Sequence, residues 1–154
     1  MKYEIVELEE KIVEGIGIKT TNENGKAIQD IANMWKKFFE GGIYSKISNK
    51  INNNTIGLYT DYEGDFTKPY KFITCTEVNK ANFNIEDRII KIIPKGKYAK
   101  FVVTGDVKQA VGQAWNEIWN MNLKRKYACD FEEYQNVKEN SLSQEIHIYI
   151  SIED

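Results

Sequence analysis

Hydrophobic and polar residues follow two different periods along this chain. Strict alternation is typical of a half-buried β-strand, whereas apolar residues that recur every three or four positions line one face of a helix. The helical period covers residues 27–40 and 106–123. The extended patterns predict strands over residues 3–18, 56–62, 69–78, 89–104, 126–136 and 144–152.

Turn and cap residues separate these elements. Gly41 and Gly42 are placed to end the first helix, and Asp106 is placed to cap the second by accepting a hydrogen bond from the backbone N–H of Gln109. The cations at positions 124–126 are predicted to follow the last turn of the second helix, where positive charge suits the helix dipole. Residues 43–55 are predicted to form a loop.

The order of elements repeats after a polar connector in the middle of the chain. Each half contains a strand, a helix and then two antiparallel strands, and Trp35 and Trp115 take equivalent places on the two helices, about 80 residues apart. We therefore predict a single domain over residues 1–154, made of two repeats at about 1–79 and 88–154. The predicted fold class is α+β, a pseudo-twofold antiparallel sheet with two long helices packed on it.

The segment Asp130-Phe131-Glu132-Glu133-Tyr134 places charge inside a predicted strand. In an extended chain Glu132 and Tyr134 share one face, and Phe131 and Glu133 share the other. Burying a carboxylate costs several kcal/mol unless it is paired, so a buried glutamate here has a partner, a shifted pKa or a function. The alternative, a rim strand with both carboxylates in water, stays open.

The duplicated pattern gives this strand a partner in the first half. Gly57 is predicted to lie opposite Glu132, with Tyr59 two residues further along the same strand. A missing side chain that faces a charge is one way in which a twofold scaffold forms a ligand site at its centre.

Composition and charge exclude several classes of protein. Apolar residues make up 42% and charged residues 29% of the 154 positions, which is typical of a globular domain. The net charge of −2, with both signs mixed along the chain, predicts no binding to nucleic acid. The N-terminus lacks the apolar stretch of a signal peptide and no run is long enough to span a bilayer, so a cytoplasmic protein without membrane contact is expected.

Metal and nucleophile chemistry find little support in the sequence. Cys75 and Cys129 are far apart and, with His147 as the single histidine, provide no zinc-site spacing. Cys75 is predicted to be a small buried side chain and His147 an ordinary strand residue. No metal, cofactor or catalytic residue is assigned.

Three segments together resemble the GyrI-like effector-binding domain, the small-molecule module of AraC-type and MerR-type regulators and of free-standing drug-binding proteins. Residues 93–101 are similar to its Pro-x-Gly-x-Tyr-x-x-Phe strand, residues 130–134 are similar to its Asp-Phe-Glu-x-Tyr strand, and the helix with Trp115 and Trp119 is similar to its tryptophan helix. The regulators carry a helix-turn-helix before this module. Because strand-like sequence begins here at residue 3, a free-standing form without direct DNA binding is expected.

The resemblance implies that Glu132 is the acidic residue of an aromatic pocket for bulky lipophilic compounds, cations in particular. The candidate ligand-binding residues are Glu132, Tyr134, Trp35, Phe39, Tyr59, Trp115 and Trp119. Rings offer a negative face to a cation and the carboxylate neutralises it. The same aromatic side chains also suit a plain hydrophobic core.

Two other functions remain open at this point. Some members of the resembling family are hydrolases of alkylating compounds, in which case Glu132 would activate water and a second polar group would share the proton. Others are protein-interaction modules that inhibit gyrase, which would require an exposed apolar or acidic patch. The oligomeric state is left open.

Overall fold

A computed structural model describes residues 1–83, 85–135 and 144–154. The strands are β1 (Glu4–Leu8), β2 (Lys11–Thr20), β3 (Thr55–Thr60), β4 (Tyr70–Val78), β5 (Ile89–Ile93), β6 (Gly96–Gly105), β7 (Cys129–Tyr134) and β8 (Gln144–Ser151). The helices are α1 (Lys26–Glu40), α2 (Ile43–Lys46) and α3 (Val107–Trp119), and a 3-10 turn at Glu23–Gly25 precedes α1.

The described strands form one antiparallel sheet in the order β1-β6-β8-β7-β3-β4-β2-β5. If each of the strands β1 to β4 changes places with its counterpart among β5 to β8, so that β1 exchanges with β5 and so on, the order reads backwards. A pseudo-twofold relation between the two halves requires this. The axis runs between β3 and β7, the two central strands. The predicted fold class is thus confirmed, and the hairpin expected from strands 56–62 and 69–78 is the pair β3 and β4.

Each half carries one strand more than the sequence pattern predicted. The extended stretches 3–18 and 89–104 are each divided in two, at Glu9 and Glu10 in the first and at Pro94 and Lys95 in the second. Proline has no N–H and cannot continue a strand ladder. After the breaks, β1 pairs with β6 and β5 pairs with β2, so the first strand of each half lies on the sheet of the other half.

The first long helix lies within one residue of its predicted bounds, but the second ends four residues early, at Trp119. The Asn120 side chain donates to the carbonyl of Asn116, and Met121 and Leu123 turn back to pack against the core. The Asp106 cap is present, since its side chain accepts from the N–H of Gln109.

Two smaller boundaries also differ from the sequence prediction. The predicted loop 43–55 contains α2, which ends at Lys46. The strand predicted over residues 126–136 begins only at Cys129, and Asn136 lies outside the described residues, as does the polar loop after it.

The two faces of the sheet carry separate cores. On one face, side chains of both edge strands, such as Val6 of β1 and Ile89 of β5, pack against a single cluster that includes Phe131, so the sheet curls around it. The other face carries the helices, and Phe38 of α1 and Ile118 of α3 are buried between their helices and the sheet. Strand alternation points Phe131 into the curl and Glu132 towards the helices.

Candidate ligand site at Glu132

The centre of the sheet brings Glu132 and Gly57 face to face, as the sequence predicted. Gly57 of β3 is the direct register partner of Glu132 of β7, and both lie next to the pseudo-twofold axis. Tyr59 lies two residues after Gly57 on β3, and Tyr134 lies two residues after Glu132 on β7. The two tyrosines therefore approach the single carboxylate from opposite sides. The twofold scaffold thus becomes an asymmetric site, because one half supplies a glutamate where the other has a glycine.

The Glu132 carboxylate is 1% exposed and accepts three hydrogen bonds from neutral donors. Its Oε1 accepts from the Tyr59 hydroxyl at 2.6 Å and from the Trp115 indole N–H at 2.7 Å. Its Oε2 accepts from the Tyr134 hydroxyl at 2.5 Å. The rim-strand alternative is therefore wrong, because strand alternation turns Glu132 inward and these donors satisfy it there.

The remaining predicted site residues surround these three donors. Trp35 packs edge-on against Tyr134 with ring centroids 5.3 Å apart, and Phe39 stacks on the same indole at 5.8 Å. Trp119 lies 6.5 Å from Trp115, measured between ring centroids. Phe39 is 50% exposed, so it covers Trp35 from the outside and contacts neither Tyr59 nor Trp115 among the ring pairs described.

Several neighbours were not identified from the sequence. Phe72 packs against both Tyr59 and Trp35, with ring centroids 5.1 and 6.4 Å away, and Phe66 stacks on Trp119 at 5.6 Å. The alternation of β4 could have revealed Phe72, because it shares a face with its register partner Tyr59. Phe66 lies in a turn, where no periodicity indicates a direction.

A buried ion pair lies beside the carboxylate and corrects one prediction. Arg125 follows the second helix at some distance and does not cap it. Instead its Nη2 donates to Asp130 Oδ2 at 2.8 Å, and both side chains are buried. Asp130 also accepts from the Tyr62 hydroxyl at 2.6 Å and from the backbone N–H and hydroxyl of Ser151. Asp130 shares a face with Glu132, so the same alternation argument could have found it.

Burial raises the pKa of Glu132 above its ordinary value of 4.5, while the hydrogen bonds from Tyr134, Tyr59 and Trp115 oppose that rise. Burial, and then the charge of Glu132, hold the pKa values of Tyr59 and Tyr134 well above their usual range, so both phenols remain donors. Glu14 is a second buried carboxylate, 3.8 Å from Arg88, and burial raises its pKa as well.

The raised pKa of Glu132 predicts how stability depends on pH. A carboxyl that resists ionisation when folded contributes fully below its unfolded pKa of 4.5, and that contribution is lost as pH rises through the folded value. We expect Glu132→Gln to flatten part of the decline in melting temperature as pH rises above about 4.5, because glutamine does not ionise; Glu14, whose pKa is also raised, should contribute to the same decline. Glu117→Gln, on the exposed side of α3, should leave the profile unchanged. Parallel profiles for wild type and Glu132→Gln would contradict this prediction.

Two features are absent from the described ranges. No group of three histidine, cysteine, aspartate or glutamate side chains there is arranged to hold a metal ion. None of the helices described is long and apolar enough to cross a membrane.

Solved structures match this chain over nearly its full length, and three of them are informative. An integron cassette protein from the mobile metagenome of Vibrio cholerae is 30% identical, with a TM-score of 0.75, and the match covers 98% of this chain and 95% of that one. SAV2435 bound to tetraphenylphosphonium is 21% identical, with a TM-score of 0.80 and coverage of 99% and 94%. A putative transcription regulation protein from Staphylococcus aureus MU50 is also 21% identical, with a TM-score of 0.78 and coverage of 100% and 99%.

The family comparison is more specific than the shared fold. No curated protein matches the chain significantly. The sequence profile of Cass2, described as an integron-associated effector binding protein, matches residues 4–152, nearly the whole chain. The match includes the central strand with Glu132 and both tryptophan helices. The protein therefore belongs to the Cass2 family of integron-associated effector-binding proteins, and it fits the GyrI-like effector-binding domain that the sequence resembles.

Proposed function

We propose that this protein binds bulky lipophilic cations at Glu132, with the positive charge beside the carboxylate and the apolar groups against the surrounding rings. The observation that carries the proposal is a buried carboxylate that forms no salt bridge, although the neighbouring Asp130 is paired with Arg125. Within the described residues, no lysine, arginine or histidine forms a salt bridge with Glu132. A carboxylate loses the stabilisation of its hydration shell when it is buried. Where its hydrogen-bond donors are all neutral, a positively charged ligand compensates for that loss.

The rings around the carboxylate suit the same class of ligand. A cation over the face of tryptophan or tyrosine gains about 0.5 to 2 kcal/mol per ring, the larger values applying when water is excluded. Tyr59 and Trp115, whose ring centroids are 4.9 Å apart, lie on one side of Glu132, and Tyr134 and Trp35 lie on the other. Recognition through charge and ring faces, with few directional bonds, favours broad selectivity.

Both halves of the chain contribute to the site. Trp35 and Tyr59 come from the first half, and Glu132, Trp115 and Tyr134 come from the second. We propose that residues 1–154 act as one binding domain of two repeats, about 1–79 and 88–154, and the exchange of edge strands supports this. The role that follows is sensing or sequestration of such compounds in the cytoplasm. The tetraphenylphosphonium bound to SAV2435, a protein of the same fold, supports the class of ligand.

A pair of ligands with one shape and opposite charge tests the proposal. We expect tetraphenylphosphonium to bind at least about tenfold more tightly than tetraphenylborate, because the buried carboxylate attracts one and repels the other. The three tryptophans, Trp35, Trp115 and Trp119, all belong to the site, so intrinsic fluorescence reports binding, and calorimetry gives the affinity. Equal affinity for the two ions, or tighter binding of the borate, would contradict the proposal.

A further inference from the structure

Three neighbouring strands place Glu132, Gly57 and Thr74 in one row across the sheet. Gly57 of β3 is the register partner of Glu132 on one side and of Thr74 in β4 on the other. Directly opposed residues of antiparallel strands point to the same face, so all three positions face the helices. Glu132 and Thr74 thus flank the glycine, on strands about 10 Å apart, which is two strand spacings.

The Thr74 hydroxyl has no hydrogen-bond partner in the described part of the chain. The residue is 0% exposed and its Oγ1 is buried without a donor or an acceptor. Thr76, the next residue on the same face of β4, donates to the carbonyl of Asn54 at 2.8 Å. Folded proteins satisfy almost all of their buried polar groups, and an unsatisfied hydroxyl costs stability. An unsatisfied hydroxyl on the same face as a buried carboxylate, separated from it by the one strand that carries Gly57, is available to a polar group of a ligand.

Gly57 provides the space between these two side chains, and Trp35 covers it. A Cβ at Gly57 would lie 3.2 Å from Glu132 Oε2, from Phe72 Cε1 and from Trp35 Cζ2. A ligand atom over Gly57 therefore displaces a ring. Trp35 is the ring suited to move, because no hydrogen bond holds its indole among the described residues, whereas its counterpart Trp115 is anchored by its bond to Glu132.

We propose that the head of the ligand lies over Gly57 after Trp35 swings out, and that Thr74 Oγ1 accepts a hydrogen bond from a protonated amine while Glu132 neutralises its charge. This inference rests on the proposed function and narrows the ligand class. Lipophilic amines that keep an N–H when protonated satisfy both the carboxylate and the hydroxyl. A quaternary ammonium or phosphonium ion satisfies only the carboxylate.

The test compares N,N-dimethyl-3,3-diphenylpropylamine with its N-trimethyl quaternary analogue, at neutral pH, by calorimetry. Thr74→Val removes the hydroxyl at nearly constant volume. We expect this variant to lose about three- to tenfold in affinity for the tertiary amine, the range for one hydrogen bond, and to stay within about twofold for the quaternary ion. Its melting temperature should equal or exceed that of wild type, because the hydroxyl makes no bond within the protein.

Matched variants separate the proposed contact from a general effect of β4. Thr74→Ser keeps the hydroxyl and should keep the preference for the tertiary amine. Thr76→Val removes a satisfied hydroxyl, so it should lower the melting temperature and leave the preference unchanged. Gly57→Ala should weaken both ligands, since its Cβ occupies the proposed position of the head.

The outcomes distinguish this inference from the function on which it rests. If Thr74→Val weakens both ligands equally, or weakens neither, the amine contact is wrong while cation binding at Glu132 stands. If wild type binds tetraphenylphosphonium but neither of these two ligands, the amine contact is wrong; if it does not bind tetraphenylphosphonium either, the proposed function fails and the inference fails with it. A loss confined to the tertiary amine supports both.

Discussion

Replacing Arg125 with methionine should lower the free energy of unfolding by about 3–5 kcal/mol, the usual cost of removing one member of a buried ion pair. Asp130 is 0% exposed, and Arg125 is its salt-bridge partner among the described residues. After the substitution, the Asp130 carboxylate retains the Tyr62 hydroxyl and the two donors of Ser151. In the buried interior, hydrogen bonds from these neutral groups do not compensate for the loss of the positive charge. Urea unfolding at pH 7 measures the difference.

Two controls show whether charge pairing accounts for this loss. The double variant Arg125→Met with Asp130→Asn should recover part of the stability, because it removes the unpaired charge that the single variant leaves behind. Lys124→Met, at the exposed neighbouring position, should change the free energy of unfolding by less than about 0.5 kcal/mol. If Arg125→Met stays within about 1 kcal/mol of wild type, the pair contributes far less than its burial indicates.

Glu132→Gln should weaken tetraphenylphosphonium binding by at least about 2 kcal/mol, which is roughly 30-fold. The substitution keeps the volume and the position of the side chain but removes the charge that the ligand pairs with. A neutral aromatic ligand such as N-phenyl-1-naphthylamine should lose much less, since it relies on the rings alone. Fluorescence titration of both proteins with both ligands measures the four affinities.

The same pair of proteins tests the role of ionisation. A cation pairs with the ionised carboxylate, and burial raises the pKa of Glu132 in the free protein. The affinity of wild type for tetraphenylphosphonium should therefore increase as pH rises through that raised pKa, while the affinity of Glu132→Gln stays constant. Equal affinities of the two proteins for the cation at every pH would mean that Glu132 has no part in binding.

Periodicity alone was sufficient for much of this architecture. Alternation in residues 130–134 correctly placed Glu132 and Tyr134 on one face, and the duplicated pattern correctly placed Gly57 opposite Glu132. Both inferences depend on local geometry, because side chains on a strand alternate wherever that strand lies in the fold. The bounds of α1 and the Asp106 cap of α3 are local in the same sense.

The hydrophobic pattern of the sequence could not predict that the two halves exchange their first strands. Nothing in residues 4–8 distinguishes a strand that pairs within its own half from one that pairs with β6 of the other half, because backbone hydrogen bonds carry no sequence code. The sequence also did not predict the position of Arg125. The helix-dipole argument assigned it to the end of a helix, but that helix stops at Trp119 and the chain turns to carry Arg125 to Asp130.

The sequence by itself determined the fold class, the face of each strand and the central pairing of a glycine with a glutamate, because all of these follow from the period of the side chains. Only the tertiary structure decided which groups surround Glu132. The three donors to its carboxylate, Tyr59, Trp115 and Tyr134, come from two strands and a helix. The unsatisfied hydroxyl of Thr74 is likewise visible only when its neighbours are in place. Hydrogen bonding depends on distances between distant parts of the chain, and no local pattern records them.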